Sequence, residues 1–150
     1  MSDTNFEEII DFAIEEEVKA YKLYEETAQK VNDNRLTPML KDIANMERGH
    51  EAKLRALKAG KPVKVGSEKI QDLKIGDYLV DVDLNENSSI QDIMIFAIKA
   101  EMKAYELYTN LEKLYTEPEE KALFAQLANE ELKHKNDLEK AYDDEIYKEN

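Results

Sequence analysis

Hydrophobic residues recur along the first sixty positions at alternating steps of four and three, the spacing of one face of an α-helix. One face consists of Ile10, Ile14, Glu17, Tyr21, Tyr24, Ala28 and Val31. A second face consists of Leu36, Leu40, Ile43, Glu47, His50, Leu54 and Leu57. The pattern predicts two long helices. One glutamate interrupts the apolar face of the first, and a glutamate and a histidine interrupt that of the second.

Two further helices are predicted in the second half of the chain. The third has a face made of Met94, Ile98, Glu101, Tyr105, Tyr108 and Tyr115. The fourth has a face made of Phe124, Leu127, Glu131, His134, Leu138 and Ala141.

Capping residues predict where three of these helices start. Ser88, three residues before Gln91, is the expected cap of the third helix. Thr116, followed by Pro118, marks the start of the fourth. The turn before the second helix is expected at positions 32–34, with Pro38 close behind it.

The two halves are copies of one another. Residues 12–24 read FAIEEEVKAYKLY and residues 96–108 read FAIKAEMKAYELY, an offset of 84. The same offset carries IANMERGH at 43–50 onto LANEELKH at 127–134. Because a repeat decides the architecture, we expect one domain over residues 1–150, with helical hairpins at about 1–60 and 88–145.

The segment between the hairpins, residues 61–87, does not belong to the repeat. It contains Pro62, Gly66 and Gly76. Residues 78–82 alternate in a way that permits a strand, although no partner strand is evident, and a short helix is expected over 67–73. A segment of this length is long enough to cross a helix of about 40 Å.

Composition excludes several functional classes. The formal net charge is -13, which disfavours binding to nucleic acid. The chain has no Cys, so a metal has to be held by oxygen and nitrogen. The N-terminus lacks the pattern of a secretory signal and no apolar run is long enough to span a membrane, so a cytoplasmic location is expected.

The polar residues inside the apolar faces predict a dinuclear metal centre. Glu47 and His50 lie three residues apart and therefore share a helix face, as do the repeat pair Glu131 and His134. Buried carboxylates are costly unless cations balance them, and two divalent ions balance four carboxylates. The expected ligands are Glu17, Glu47, His50, Glu101, Glu131 and His134. By symmetry, Glu47 and Glu131 are the expected bridges.

Residues near the six expected ligands are expected to have lesser roles. Tyr24 and Tyr108 lie two turns beyond Glu17 and Glu101, where their hydroxyl groups either support a ligand carboxylate or pack in the core. Tyr21 and Tyr105 are expected to pack. We expect three further glutamates to lie on the solvated surface: Glu15, Glu16 and Glu130. The alternative to a metal centre is two buried histidines, each paired with a glutamate.

The motifs EVKAYKLY with MERGH, and EMKAYELY with EELKH, resemble the rubrerythrin branch of the ferritin-like superfamily, and DLKIGDYLVDVD resembles its crossover segment. The resemblance implies an all-α, ferritin-like four-helix bundle made of two pseudo-symmetric hairpins with a long crossover connection. It also implies two iron ions on the six ligands, reduction of hydrogen peroxide or oxygen, a separate electron-donor protein and a homodimer.

Two departures from that family keep other functions open. Full-length rubrerythrins carry a rubredoxin domain with four Cys, and this chain has none. Peroxidase rubrerythrins have an additional Glu one turn after the ligand of the third helix, where this chain has Ala104. A non-catalytic iron-binding or iron-delivery module, or a ferroxidase-type iron-handling module, is therefore the alternative. Manganese suits the same ligands as iron.

Overall fold

The fold is a bundle of four long helices with antiparallel neighbours. The computed structural model describes residues 6–31, 33–60, 75–80 and 84–145. Its helices are α1 (Phe6–Val31), α2 (Leu36–Gly60), α3 (Ile90–Leu114) and α4 (Pro118–Glu145), and a single turn of 3₁₀-helix spans Ile75–Tyr78. These residues contain no β-strand. The all-α four-helix prediction is confirmed.

A capping aspartate marks the start of α2, and a proline marks the start of α4. The Asp33 carboxylate accepts hydrogen bonds from the backbone N–H groups of Arg35 and Leu36, both at 2.8 Å. Pro38 fits within the first turn of α2 because the N–H groups there have no partner inside the helix. Pro118, one of the two predicted start signals, is the first residue of α4, one residue later than a cap at Thr116 would place the start.

The cap of α3 lies one residue later than predicted. Ser89, not Ser88, is the N-cap, and its hydroxyl accepts a hydrogen bond from the backbone N–H of Asp92 at 3.0 Å. The Asp92 carboxylate accepts from the backbone N–H of Ser89, which completes a capping box. The Ser88 hydroxyl is used in the preceding turn, where it accepts from the backbone N–H of Asn85. Two adjacent serines divide the turn and the cap between them.

Two apolar clusters fill the ends of the bundle. One joins the start of α1 and α4 to the end of α2 and α3, and includes Ile9, Leu54, Leu111 and Phe124. The other joins the opposite ends of the four helices, and includes Tyr24, Leu40, Met94 and Leu138. The chain packs mainly as α1 on α2 and α3 on α4. Consequently α2 ends at one end of the bundle and α3 starts at the other, so their connection has to travel its full length.

The described part of this connection contacts α3. Tyr78 is buried in the first apolar cluster, and its hydroxyl accepts a hydrogen bond from the Asn110 side-chain amide at 2.9 Å. Tyr78 belongs to the 3₁₀ turn and residues 79–80 have no regular structure, so this part of the segment is not a strand. The predicted helix at 67–73 and the rest of the alternating segment, residues 81–82, lie outside the described residues.

Among the described residues, no helix combines the length and the apolar character needed to cross a membrane.

Candidate metal centre

The six predicted ligands form one polar layer between the two apolar clusters. Each of the six residues is at most 4% exposed to solvent. The residues are Glu17, Glu47, His50, Glu101, Glu131 and His134. Each interrupts the apolar face of its helix, so the burial of that face carries the polar side chain inside. The structure therefore brings together all six residues that the sequence proposed.

Within this layer, two groups of four residues each could hold a metal ion. In each group, one ligand atom per residue lies within 4.8 Å of the others. The first group consists of Glu17, Glu47, His50 and Glu131. The second group consists of Glu47, Glu101, Glu131 and His134. Glu47 and Glu131 belong to both groups, which is the arrangement that bridging carboxylates require.

Several polar atoms in this layer have no hydrogen-bond partner. They are one carboxylate oxygen on each of Glu17, Glu47 and Glu101, and Nδ1 of His50. A buried polar atom without a partner is costly, and a set that converges on one point is explained by a cation. Carboxylate oxygen and imidazole nitrogen are ligands that iron, manganese and zinc accept. The residues present thus fit two divalent ions.

The electrostatics of the layer point in the same direction. Burial, followed by repulsion from Glu101, raises the pKa of Glu47 to about 8. Burial and the same neighbour raise the pKa of Glu131. Burial alone would lower the pKa of His134, but hydrogen bonding to Glu101 and Glu131 raises it to about 12. The carboxylates therefore attract positive charge strongly, whether it is carried by protons or by metal ions.

Two buried tyrosines hold the carboxylates of the opposite hairpin. The Tyr24 hydroxyl on α1 donates to Glu101 Oε2 on α3 at 2.5 Å. The Tyr108 hydroxyl on α3 donates to Glu17 Oε2 on α1, also at 2.5 Å. Supporting a ligand carboxylate was one of the two roles that the sequence left open for them. Each tyrosine thereby leaves one oxygen of its partner free for a metal ion.

Glu130 also contacts this layer, so its prediction as a solvated surface residue is wrong. Its Oε1 atom lies 2.6 Å from His50 Nε2, on the outer side of the ring. Burial raises the pKa of Glu130, but the hydrogen bonds with His50 and Gln126, together with the nearby charges of His50 and Lys53, outweigh burial and lower the pKa. Glu15 is exposed and Glu16 pairs with Lys19 at 3.2 Å, as expected of surface residues.

Packing roles for Tyr21 and Tyr105 agree with the structure. Tyr21 packs against the second apolar cluster, and the Arg48 guanidinium lies 4.1 Å from the centre of its ring. Tyr105 packs against the first cluster.

A cavity of about 460 Å³ reaches the carboxylates from the side of α1 and α3. Its floor includes Glu17, Glu47, Glu101 and Glu131, whereas the two histidines do not line it. Its walls are mostly apolar and include Phe12, Leu23, Leu79, Ala97, Ala104 and Leu107. A small molecule entering this way meets the carboxylate side of the centre, opposite the imidazoles.

The rubrerythrin family profile matches residues 1–58 and 92–150. The chain belongs to the rubrerythrin family. The two matched blocks correspond to the two hairpins, and the unmatched residues between them contain the crossover. A solved structure, a hypothetical protein from Pyrococcus furiosus, is similar to this rubrerythrin-family chain at 30% sequence identity and a TM-score of 0.72. The similarity covers 93% of this chain and 89% of that one. No curated protein matches the chain.

Ala104 shows how this member of the rubrerythrin family differs from the peroxidase pattern. The residue lines the cavity one turn beyond Glu101, and Ala20 lines it one turn beyond Glu17. The two alanines are equivalent in the repeat. The centre therefore has the same small side chain on both helices that border the cavity.

Proposed function

We propose that this protein binds two iron ions and acts as an oxidoreductase that reduces hydrogen peroxide or oxygen, with electrons from a separate donor protein. The observation that carries the proposal is the pair of four-residue groups that share Glu47 and Glu131. Membership of the rubrerythrin family supports it. Iron is preferred on the family resemblance, and manganese is the alternative for the same oxygen and nitrogen ligands.

In this proposal, each residue of the layer has a defined task. Glu17 and His50 would hold one ion, Glu101 and His134 would hold the other, and both ions would share Glu47 and Glu131. Two bound ferrous ions would each supply one electron to a peroxide. Tyr24 and Tyr108 fix the orientation of Glu101 and Glu17 through their hydrogen bonds. The cavity between α1 and α3 provides the route for a small substrate.

The enzymatic part is tested by loading the protein with ferrous iron without oxygen and then adding hydrogen peroxide. We expect one peroxide to oxidise two ferrous ions, and repeated cycles with a chemical reductant to consume further peroxide. A Glu131→Ala variant, which lacks a shared carboxylate, should lose this reaction, whereas the exposed Glu15→Ala should keep it. Oxidation that stops after one cycle despite complete re-reduction would contradict the enzymatic proposal.

A non-catalytic iron-binding or iron-delivery role is the second candidate, and Ala104 favours it because the peroxidase pattern has a Glu there. The two functions differ in what happens to the iron. A delivery protein should transfer its iron to a chelator or an acceptor protein within minutes and should not turn over peroxide. An enzyme should retain iron through many turnovers.

Three accompanying expectations remain predictions from the sequence and the family resemblance: a cytoplasmic location, a homodimer and an electron-donor protein. Sedimentation of the metal-loaded protein tests the second. A mass corresponding to two chains is expected, and a monomer at all concentrations would contradict it.

A further inference from the structure

The two histidines of the centre differ in what their outer nitrogen contacts. His50 directs Nδ1 towards the carboxylates, 3.1 Å from Glu47 Oε1, while its Nε2 lies 2.6 Å from Glu130 Oε1. His134 directs Nδ1 towards the layer in the same way, 3.1 Å from Glu131 Oε1. Its Nε2 has no hydrogen-bonding partner among the described residues.

The repeat accounts for this difference. The offset of 84 that relates the two hairpins places Met46 where the second hairpin has Glu130. A methionine thioether carries no charge and is a weak acceptor. Gln126, whose amide donates to Glu130 Oε2 at 3.1 Å, is likewise replaced in the first hairpin, by Asp42. The first hairpin therefore lacks both the carboxylate and the amide that holds it.

The carboxylates of the two positions are related by the repeat. Glu17 and Glu101 are equivalent in the repeat, and each accepts a tyrosine hydroxyl at 2.5 Å. Glu47 and Glu131 belong to both groups. The carboxylate on the outer nitrogen of His50 is thus a difference between two positions whose ligands are related by the repeat.

A carboxylate on the outer N–H of a ligand histidine fixes the tautomer, orients the ring and strengthens the nitrogen as a donor to metal. Removing such a carboxylate typically lowers metal affinity by about 10- to 100-fold. We propose that the two metal positions are inequivalent: the position at His50 fills first and binds tightly, and the position at His134 binds more weakly and exchanges its metal. Glu130 is the positioning residue that creates the difference. This inference rests on the proposed dinuclear metal binding.

The inference is tested by titrating the metal-free protein with cobalt(II) and following heat and visible absorption. Wild type should bind in two steps whose dissociation constants differ by about 10- to 100-fold. Glu130→Met, which copies the first hairpin, should weaken the tighter step until the two steps merge. Met46→Glu should strengthen the weaker step instead. Glu15→Met, which removes an exposed charge near Glu17, should leave both steps unchanged.

Each outcome has a separate meaning. Two indistinguishable steps in wild type would overturn the inequivalence while leaving dinuclear binding intact. If Glu130→Met still bound cobalt(II) in two separate steps, Glu130 would not be the cause of the difference between the two positions. No cobalt binding in any of the proteins would instead contradict the proposed function itself. Circular dichroism of the metal-free variants establishes that each is folded before it is titrated.

Discussion

At the scale of single residues, the centre depends on groups that do not themselves face the metal positions. The tyrosine hydroxyls and Glu130 each fix one ligand through its outer atom. A ligand held in this way loses little freedom when metal binds, so the supporting bond contributes to affinity. Because the tyrosines reach across the bundle, each hairpin positions ligands of the other.

Replacing Tyr108 by Phe should weaken metal binding by about 10-fold, because Glu17 loses the hydrogen bond that orients it. Tyr105→Phe is the matched control, since Tyr105 lies one turn earlier on α3 and packs against the apolar cluster. Calorimetric titration with cobalt(II) measures both variants. An affinity for Tyr108→Phe equal to that of wild type would show that the hydroxyl does not support the ligand.

The stability of the metal-free protein should fall as pH rises, because the folded protein binds protons more tightly than the unfolded chain does. The pKa of Glu47 rises from 4.5 to about 8 and that of His134 from 6.5 to about 12. The pKa values of Glu131 and His50 are also raised. Glu101 and Glu130, whose pKa values are lowered from 4.5, are ionised in both the folded and the unfolded protein above about pH 6, so they do not change the stability there. Groups with raised values stabilise at low pH and lose that contribution as pH rises.

We therefore expect the melting temperature of the metal-free protein to fall by at least about 5 °C between about pH 6 and pH 8.5. The metal-loaded protein should not show this fall, since metal ions take the place of the protons. Thermal scans of both forms across this range make the comparison. A metal-free protein that becomes more stable towards pH 8.5 would contradict the charge assignment.

The six central residues could be predicted from the sequence because each interrupts an apolar helix face at a repeated position. The partners of Tyr24 and Tyr108 could not, since sequence spacing shows which helix face a side chain occupies but not which neighbouring helix it contacts. Glu130 was missed for the same reason. It lies beside the central stripe of α4, and only the packing of α2 against α4 brings His50 within 2.6 Å of it.

At the scale of elements, the periodicity of hydrophobic residues predicts four helices. The residues at the helix ends determine where each helix begins. α4 begins at Pro118, which agrees with the preference of proline for the first helical position, but a cap at Thr116 would have started the helix one residue earlier. The start of α3 was predicted one residue early because Ser88 and Ser89 offer the same hydroxyl. Only the geometry shows that Asp92, rather than Gln91, completes the capping box.

Ser89→Ala should lower the free energy of unfolding by about 1 kcal/mol, because the backbone N–H of Asp92 loses its acceptor. Ser88→Ala, which affects only the turn at Asn85, should cost less than about 0.5 kcal/mol. Urea denaturation of the two variants measures the difference. A larger loss of unfolding free energy for Ser88→Ala than for Ser89→Ala would show that Ser88 is the cap, as the sequence predicted.

At the scale of the whole molecule, the polar layer lies where the two hairpins meet. Glu17, Glu47 and His50 come from the first hairpin and Glu101, Glu131 and His134 from the second. Each four-residue group takes ligands from both. Metal ions bound there would link the two hairpins, and their binding energy would stabilise the assembled bundle.

The central claim is that this layer holds two metal ions through shared carboxylates. Elemental analysis after ferrous loading and gel filtration tests it most directly, with wild type compared with Glu47→Ala and Glu51→Ala. Glu47 belongs to both four-residue groups, whereas Glu51 lies one turn further along α2 and pairs with Arg55 at 2.8 Å. We predict about two iron ions per chain for wild type and Glu51→Ala and fewer than about one for Glu47→Ala. Equal metal content in all three proteins would contradict the claim.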